Sequence, residues 1–359
     1  MNRFKKIAAV LTLAPAMAMA VSACGPKKPA ESGDDGKGNV AAATPITVHL
    51  AYFPNVTHAA ALVGTGSGDF AKALGSNVKI DEQSFAAGPA EIEALFANNV
   101  DIGYIGPGPA VNGYLKSRGT LLRIIAGASS GGAALVVRKD AGVTDVKSLG
   151  GKRVAVPQTG GTQDISLRHA LQEAGLKSTD RGGNVNVLPA APADMLTLFQ
   201  KKELDAAWVP EPWVSRLVKE GNGLLAQDER DLWPNKKFAT TVVIVRTAFL
   251  QEHPDVVANF LKAHVTAVDW IGSHHDEAAK LISERIKKLT GKALPLDVVN
   301  SALSRTDFTY DPLKESVLTF ADWANALGYL KQGRAGISDL IDTKPLNTAL
   351  TALQKPGIN

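Results

Sequence analysis

From Thr44 onward, short apolar runs alternate with longer amphipathic stretches, the pattern of strands interleaved with helices. The apolar runs predict strands over residues 46–53, 78–85, 102–105, 121–126 and 133–138, then over 153–157, 185–188, 206–209 and 224–226. A long β-branched run adds a strand over 238–246. Helical periodicity fills 90–98, 163–174, 193–201 and 213–220, and dominates from 254 to about 353. Two βα series followed by a helical tail predict an α/β fold of two lobes. The tail cannot bury its apolar faces alone and packs back on one lobe. The segment beginning at Ala141 reads as the connection leaving the first lobe, and the 238–246 strand as the return. Lobe I is then 45–139 plus 240–359 and lobe II is 140–239. Two crossovers leave a cleft between the lobes, an arrangement that closes by hinge motion around a ligand.

The first residues add an address. Arg3, Lys5 and Lys6 precede an uncharged Ala/Leu/Met-rich run that ends at Val21-Ser22-Ala23-Cys24. A basic start, an apolar stretch and small residues make a secretory signal over 1–23. The run is shorter than the ~20 residues of a spanning helix. The small residues before Cys24 resemble a lipobox, in which the thiol is lipidated and becomes the mature N-terminus. Residues 24–44, rich in Gly, Lys, Pro, Ala and Asp without apolar periodicity, read as a flexible tether. Cys24 is the only cysteine, so once it carries lipid no thiol remains for a disulfide, a metal site or a nucleophile.

Charge narrows the partners. Cleaving the leader takes Lys+Arg from 39 to 36 against 35 acidic residues, close to neutral. The basic residues are scattered, with no stripe interleaved with aromatics, so nucleic acid is not expected as a partner. The chain has no Gly-x-Ser-x-Gly elbow and no His-Glu-x-x-His. The run His274-His275-Asp276-Glu277 reads as a solvated charge run, because adjacent histidines point to different helix faces. No cofactor, metal or catalytic residue is expected.

In open α/β sheets ligands bind beyond the carboxyl ends of strands, where helix N-termini present free N–H groups. The loops after the predicted strands are therefore the candidate site. After 46–53 come Asn55 and Thr57, suited to capping the next helix, and His58, able to reach the cleft. After 78–85 comes Gly88-Pro89, and after 102–105 comes Gly106-Pro107-Gly108-Pro109, both small backbone opening a helix. After 121–126, Ser129-Ser130-Gly131-Gly132 offers hydroxyls and amides. In the second lobe Gly161, Thr162 and Gln163 open a helix, with Thr162 as N-cap, and could hold an oxyanion. The loop lacks the P-loop ending and the Rossmann glycine pattern. Glu211 and Trp213 lie at the end of another strand; Trp213 could wall the cleft, and Glu211 could face the ligand or pair with a hinge cation. With almost no Lys or Arg in these loops, an anion would be held by amides, hydroxyls and helix dipoles. A ligand-facing Glu211 would repel a bare dianion.

Tyr52-Phe53-Pro54-Asn55-Val56-Thr57-His58-Ala59, Tyr104-Ile105-Gly106-Pro107-Gly108-Pro109-Ala110, Thr159-Gly160-Gly161-Thr162-Gln163-Asp164 and Trp208-Val209-Pro210-Glu211-Pro212-Trp213 together resemble the aliphatic sulfonate-, taurine- and nitrate-binding proteins of ABC importers. The resemblance spans roughly residues 46–330. It implies a type II periplasmic-binding-protein fold and delivery of a small-molecule anion to a permease and ATPase complex. An alkanesulfonate is the ligand most in keeping with it, with nitrate, taurine, a thiamine-pyrimidine precursor or an aromatic acid as alternatives. Where sulfonate and taurine binders have Trp-Asp-Pro, this chain has Val209-Pro210-Glu211-Pro212. Enzymes of the same fold, such as a sulfinate desulfinase, need a cysteine nucleophile that this chain does not offer. The expected protein is a lipid-anchored monomer on the outer face of the cytoplasmic membrane.

Overall fold

A computed structural model describes residues 44–358; the leader, Cys24 and nearly all of the tether lie outside the described residues. Eleven strands run in chain order: β1 (Ile46–Tyr52), β2 (Val78–Ser84), β3 (Ile102–Ile105), β4 (Leu122–Gly131), β5 (Ala133–Arg138), β6 (Arg153–Val156), β7 (Asn186–Pro189), β8 (Ala206–Pro210), β9 (Gly223–Asp228), β10 (Ala239–Arg246) and β11 (Thr306–Phe308). They form two sheets, ordered β11-β4-β10-β3-β1-β2 and β7-β6-β8-β5-β9. Each sheet mixes parallel βα neighbours with antiparallel crossover strands: β1 runs parallel to β2 and β3, while β10 runs antiparallel to β3 and β4.

Apolar side chains cover both faces of each sheet, as burial on two sides requires. On one face of the first sheet Tyr52, Phe70, Tyr104 and Phe260 pack together; on the other Leu95, Ile105, Phe238 and Phe320 do so. Burying each such side chain stabilises the fold by about 1.5–3 kcal/mol. The second sheet is sandwiched between a cluster around Leu135, Leu171 and Trp208 and another around Val136, Phe199 and Leu217. The C-terminal helices return to the first lobe. The helix Pro254–Ser273 is pinned there by the buried His264, which bonds the Tyr104 hydroxyl at 2.8 Å through Nδ1 and the Gly127 carbonyl at 2.8 Å through Nε2. The carbonyl can only accept, so Nε2 carries the ring proton and Tyr104 donates to Nδ1.

Two features differ from the sequence expectation. The 121–126 strand extends to Gly131, because β10 and β11 pair with it on both sides: Ser130 opposes Ala239 and Asp307, and Gly131 opposes Thr306. The chain also leaves the first sheet earlier than Lys139. β5 pairs with β8 and β9 of the second sheet, so the crossing lies at Gly131-Gly132, where φ is +71° and +67°. Glycine takes two successive left-handed conformations without the steric cost that a Cβ brings. The Ser-Ser-Gly-Gly segment reads in sequence as a loop inside one lobe, whereas it is the passage between sheets. The return runs through the turns Glu229–Leu232 and Pro234–Lys236 into β10. The short β11, hidden in a helical stretch, closes the edge of the first sheet.

Candidate functional site

The two lobes meet around a cavity of about 40 Å³ lined by residues from both sides. That is room for about three waters at 10–15 Å³ each, the scale of one compact polar head group. Asn55, His58, Gly88, Gly106, Gly161, Thr162 and Gln163 all lie on its wall. Among the described residues, none that lines it is Lys, Arg, Asp, Glu or Cys.

Helix starts supply much of the wall. β1 ends at Tyr52 and runs through the turn Val56–His58 into the helix Ala59–Gly66. The helices Gly88–Phe96, Pro107–Lys116 and Thr162–Glu173 begin at the cavity, with Gly106 and Gly161 at the N-cap positions of the latter two. The first N–H groups of each helix have no intrahelical acceptor, and its dipole places partial positive charge there. Glycine is required where the backbones close on one another. A Cβ on Gly106 would lie 2.2 Å from the Thr162 hydroxyl, and one on Gly88 would lie 2.3 Å from the Pro109 ring.

Thr162 joins the lobes. The sequence predicts an N-cap; instead Thr162 is the first residue of its helix, and its Oγ1 accepts a hydrogen bond from the Gly108 amide of the other lobe at 3.2 Å. Gly108 therefore contacts Thr162 rather than the cavity. The loop before Thr162 is held by Asp164, which accepts from the Gly160 amide at 2.8 Å, from Arg168 at 2.7 Å and from the Tyr329 hydroxyl of the first lobe at 2.6 Å.

Asn55 occupies an N-cap position but makes no capping bond. Its Oδ1 accepts from the Trp213 indole N–H at 3.2 Å, another bond across the lobes. Thr57, the other expected cap, is a buried wall residue. The His58 ring stacks on Phe53 with centroids 4.4 Å apart, and its Nδ1 accepts from the Phe53 amide at 3.3 Å. The proton therefore resides on Nε2. Burial pulls the His58 pKa down to about 3, so it is a neutral donor, not a cation, at neutral pH.

Five other expected residues lie away from the cavity wall. Ser129, Ser130 and Gly131 run within β4 at the crossing; Ser130 Oγ accepts from the Phe238 amide at 3.3 Å, and Gly131 packs against the Arg230 guanidinium. Glu211 is fully buried and turned to its own helix, accepting from the Ser215 amide at 3.0 Å and hydroxyl at 2.9 Å, with Arg305 at 3.9 Å. It is absent from the cavity wall. Burial raises its pKa to about 7. Trp213 lies beside a neighbouring chamber rather than the 40 Å³ cavity.

Thr240 and Thr241 escaped the reading of the strand ends. They open β10 and line the cavity. Thr240 donates to the Gly131 carbonyl, whereas the buried Thr241 hydroxyl has no partner among the described residues. A threonine pair inside a β-branched run is the faint signal available, since β-propensity explains it equally well. The wall thus offers neutral donors and helix starts without counter-charge, which suits an oxyanion.

Comparison with known proteins bears on the family and the fold. A Bacillus subtilis (strain 168) protein provisionally named an aliphatic sulfonates-binding protein is 32% identical over 244 residues, 67% of either chain. The alkanesulfonate-binding protein of Xanthomonas axonopodis pv. citri, solved bound to MOPS, superposes with a TM-score of 0.70 at 21% identity, covering 84% of this chain and 99% of that one. The periplasmic nitrate-binding protein of Synechocystis PCC 6803 superposes with a TM-score of 0.75 at 18% identity, covering 86% and 89%. The fold is therefore that of the two-lobed periplasmic binding proteins. With its family profile matching residues 41–287, the chain belongs to the NMT1-like family.

Proposed function

We propose that this protein is the exported solute-binding component of an ABC importer and carries a small organic oxyanion, an aliphatic sulfonate, to its permease. The observation that carries the reading is the cavity wall: helix N-termini, the Thr162 and Thr241 hydroxyls and a neutral His58 converge with no charged side chain among them. A sulfonate is a monoanion without a proton to donate, so it needs neither a carboxylate acceptor nor a full counter-charge. A dianion would lose far more hydration than this wall returns. A cationic ligand would meet the wrong end of every helix dipole. The names of relatives support the same class, since those of the Bacillus subtilis protein and the Xanthomonas structure both specify sulfonates.

The leader and Cys24 extend the reading to place. The mature chain is held at the outer face of the cytoplasmic membrane by lipid on Cys24, works as a monomer, and performs no catalysis of its own. Among the described residues no helix is long and apolar enough to cross a membrane, so attachment falls to the N-terminus. Replacing Cys24→Ser should release the processed protein from the membrane fraction into the soluble one. Titration calorimetry with methanesulfonate, butanesulfonate, taurine, nitrate and sulfate tests the ligand. Micromolar binding of a sulfonate, with sulfate much weaker, is the expected result; silence from every sulfonate defeats the proposal.

A further inference from the structure

The helix Lys314–Ala326 packs with the first lobe through Val317 and Phe320 and ends in a turn that its sequence dictates. Gly328 takes φ +71°. Its N–H donates to the Asn325 carbonyl at 2.9 Å, and the Tyr329 N–H donates to the Ala324 carbonyl at 2.9 Å. That paired closure is how a helix stops at a left-handed glycine, and it sets the Tyr329 side chain against the second lobe. There the Tyr329 hydroxyl donates to Asp164 Oδ2 at 2.6 Å. Its ring meets the guanidinium groups of Arg181 and Arg168 at 5.0 and 6.0 Å. Arg181 also donates to the Leu327 carbonyl, at the helix end where acceptors are left over and a cation is favoured. His169 adds a stack on Trp323 with centroids 3.8 Å apart. Neither Tyr329 nor any of these partners lines the 40 Å³ cavity.

The contact reaches the cavity through Asp164. This carboxylate is fully buried, and both oxygens are committed. Oδ1 accepts from Arg168 at 2.7 Å, and Oδ2 accepts from the Gly160 amide at 2.8 Å as well as from Tyr329. Two residues beyond Gly160, Thr162 receives the Gly108 amide across the cleft. Burial and the Asp164 carboxylate push the Tyr329 pKa up to about 12, so at neutral pH the hydroxyl keeps its proton and donates. Resting on the receptor reading, we propose that Tyr329 is a positioning residue for the ligand: it latches the lobes shut and, through Asp164, fixes the 160–162 loop against the cavity. The latch exists only where the lobes meet, so it adds to the closed population that a bound ligand requires. It breaks when the lobes part, so its loss appears in ligand release rather than in encounter.

Tyr329→Phe deletes the hydroxyl and keeps the ring beside the arginines. In the ligand-free full chain, amide hydrogen exchange followed by NMR should quicken about ten-fold at Gly160 and Gly108, the scale of one lost hydrogen bond to a charged acceptor. Stopped-flow fluorescence with butanesulfonate should show release about ten-fold faster and association within about two-fold of wild type. Combined with Thr162→Ala, the loss of affinity should be smaller than the product of the two separate losses, because both substitutions act on one loop. Unchanged exchange at both glycines overturns the latch. Faster exchange with an unchanged release rate detaches it from the binding site and overturns the positioning role. Losses that simply multiply overturn the route through the loop. If no sulfonate binds, the receptor reading fails by itself, and the exchange rates still decide whether Tyr329 holds the loop.

Discussion

Gly106-Pro107-Gly108-Pro109 and Ser129-Ser130-Gly131-Gly132 each come after an apolar run and each offer small, bare backbone. In the molecule the first becomes the start of a helix on the cavity rim, and the second stays in the sheet and carries the chain between lobes. The residues C-terminal to each segment decide the difference. An amphipathic stretch after Pro109 turns the backbone away from the sheet and leaves its first amides free. Another apolar run after Gly132 keeps the backbone extended, as β5 with partners on both sides. Glycine serves close approach at the rim and a left-handed path at the crossing. A rim glycine should therefore matter to binding, and a hinge glycine to stability.

The largest expected effect lies at the rim. Gly106→Val places branched carbon where even a Cβ would sit 2.2 Å from the Thr162 hydroxyl of the opposite lobe. The lobes then cannot meet, and ligand affinity should fall more than about a hundred-fold, as expected when a closed state is denied. Gly106 keeps an ordinary extended φ of −69°, so thermal stability should change little. Gly132→Ala is the counterpart. At φ +67°, with Thr306 Oγ1 2.4 Å from the new Cβ, it should cost about 1–3 kcal/mol of stability, read as a lower urea midpoint. Equal effects of the two variants on binding and on stability would erase the distinction.

Thr162→Ala comes next. It removes the hydroxyl that holds the Gly108 amide across the cleft and should weaken ligand binding by about 1–3 kcal/mol, measured by calorimetry. Unchanged affinity would make the Gly108 contact incidental to closure.

These contrasts also show what could be read without coordinates. The two βα series, the return strand and most of the rim were legible because amphipathic periods and Gly-Pro helix starts are local properties. Asn55, Gly88, Gly106 and Thr162 announced themselves as residues after strands. The hinge was not legible. Whether Ser130 faces a ligand or another strand depends on β10 and β11, more than a hundred residues away, and no local pattern encodes that pairing. For Glu211 the sequence left open a ligand contact or a hinge cation; its Ser215 partner lies one helical turn on, while its place off the cavity wall and the approach of Arg305 are tertiary. Thr241 was hidden in plain sight, a β-branched residue in a strand that also faces the cavity.

Rim and hinge should also part in their response to pH. His58 on the rim has its pKa lowered to about 3 by burial, so it is neutral throughout pH 5–8, and ligand affinity should vary less than about two-fold across that range. Affinity that falls as pH rises through 6–7 would mean a charged His58 in the complex. Glu211 near the crossing is shifted the other way, from 4.5 to about 7. The folded state keeps a proton that the unfolded state has released. Its contribution to stability is therefore full below about pH 4.5 and is lost as pH rises towards 7, with a slope of at most about 1.4 kcal/mol per pH unit. Glu211→Gln keeps an acceptor for Ser215 and never ionises. Relative to wild type, its stability should climb from pH 4.5 to 7 in urea titrations; a constant difference would show that Glu211 does not titrate in that window.

The smallest effect comes from Ser130, one of the hydroxyls that the sequence offered as a ligand contact. Its hydroxyl accepts from the Phe238 amide at 3.3 Å where the return segment enters β10, and both groups are buried. Ser130→Ala leaves that amide without an acceptor and should cost about 1 kcal/mol of stability, within the usual range for an orphaned buried donor. Because Ser130 is absent from the cavity wall, sulfonate affinity should stay within about two-fold of wild type, inside the range of substitutions that do not touch a ligand. A ten-fold loss of affinity with unchanged stability would return Ser130 to the rim. It would mean that β4 opens at its end when ligand arrives, so that the two glycine-rich segments act together during closure.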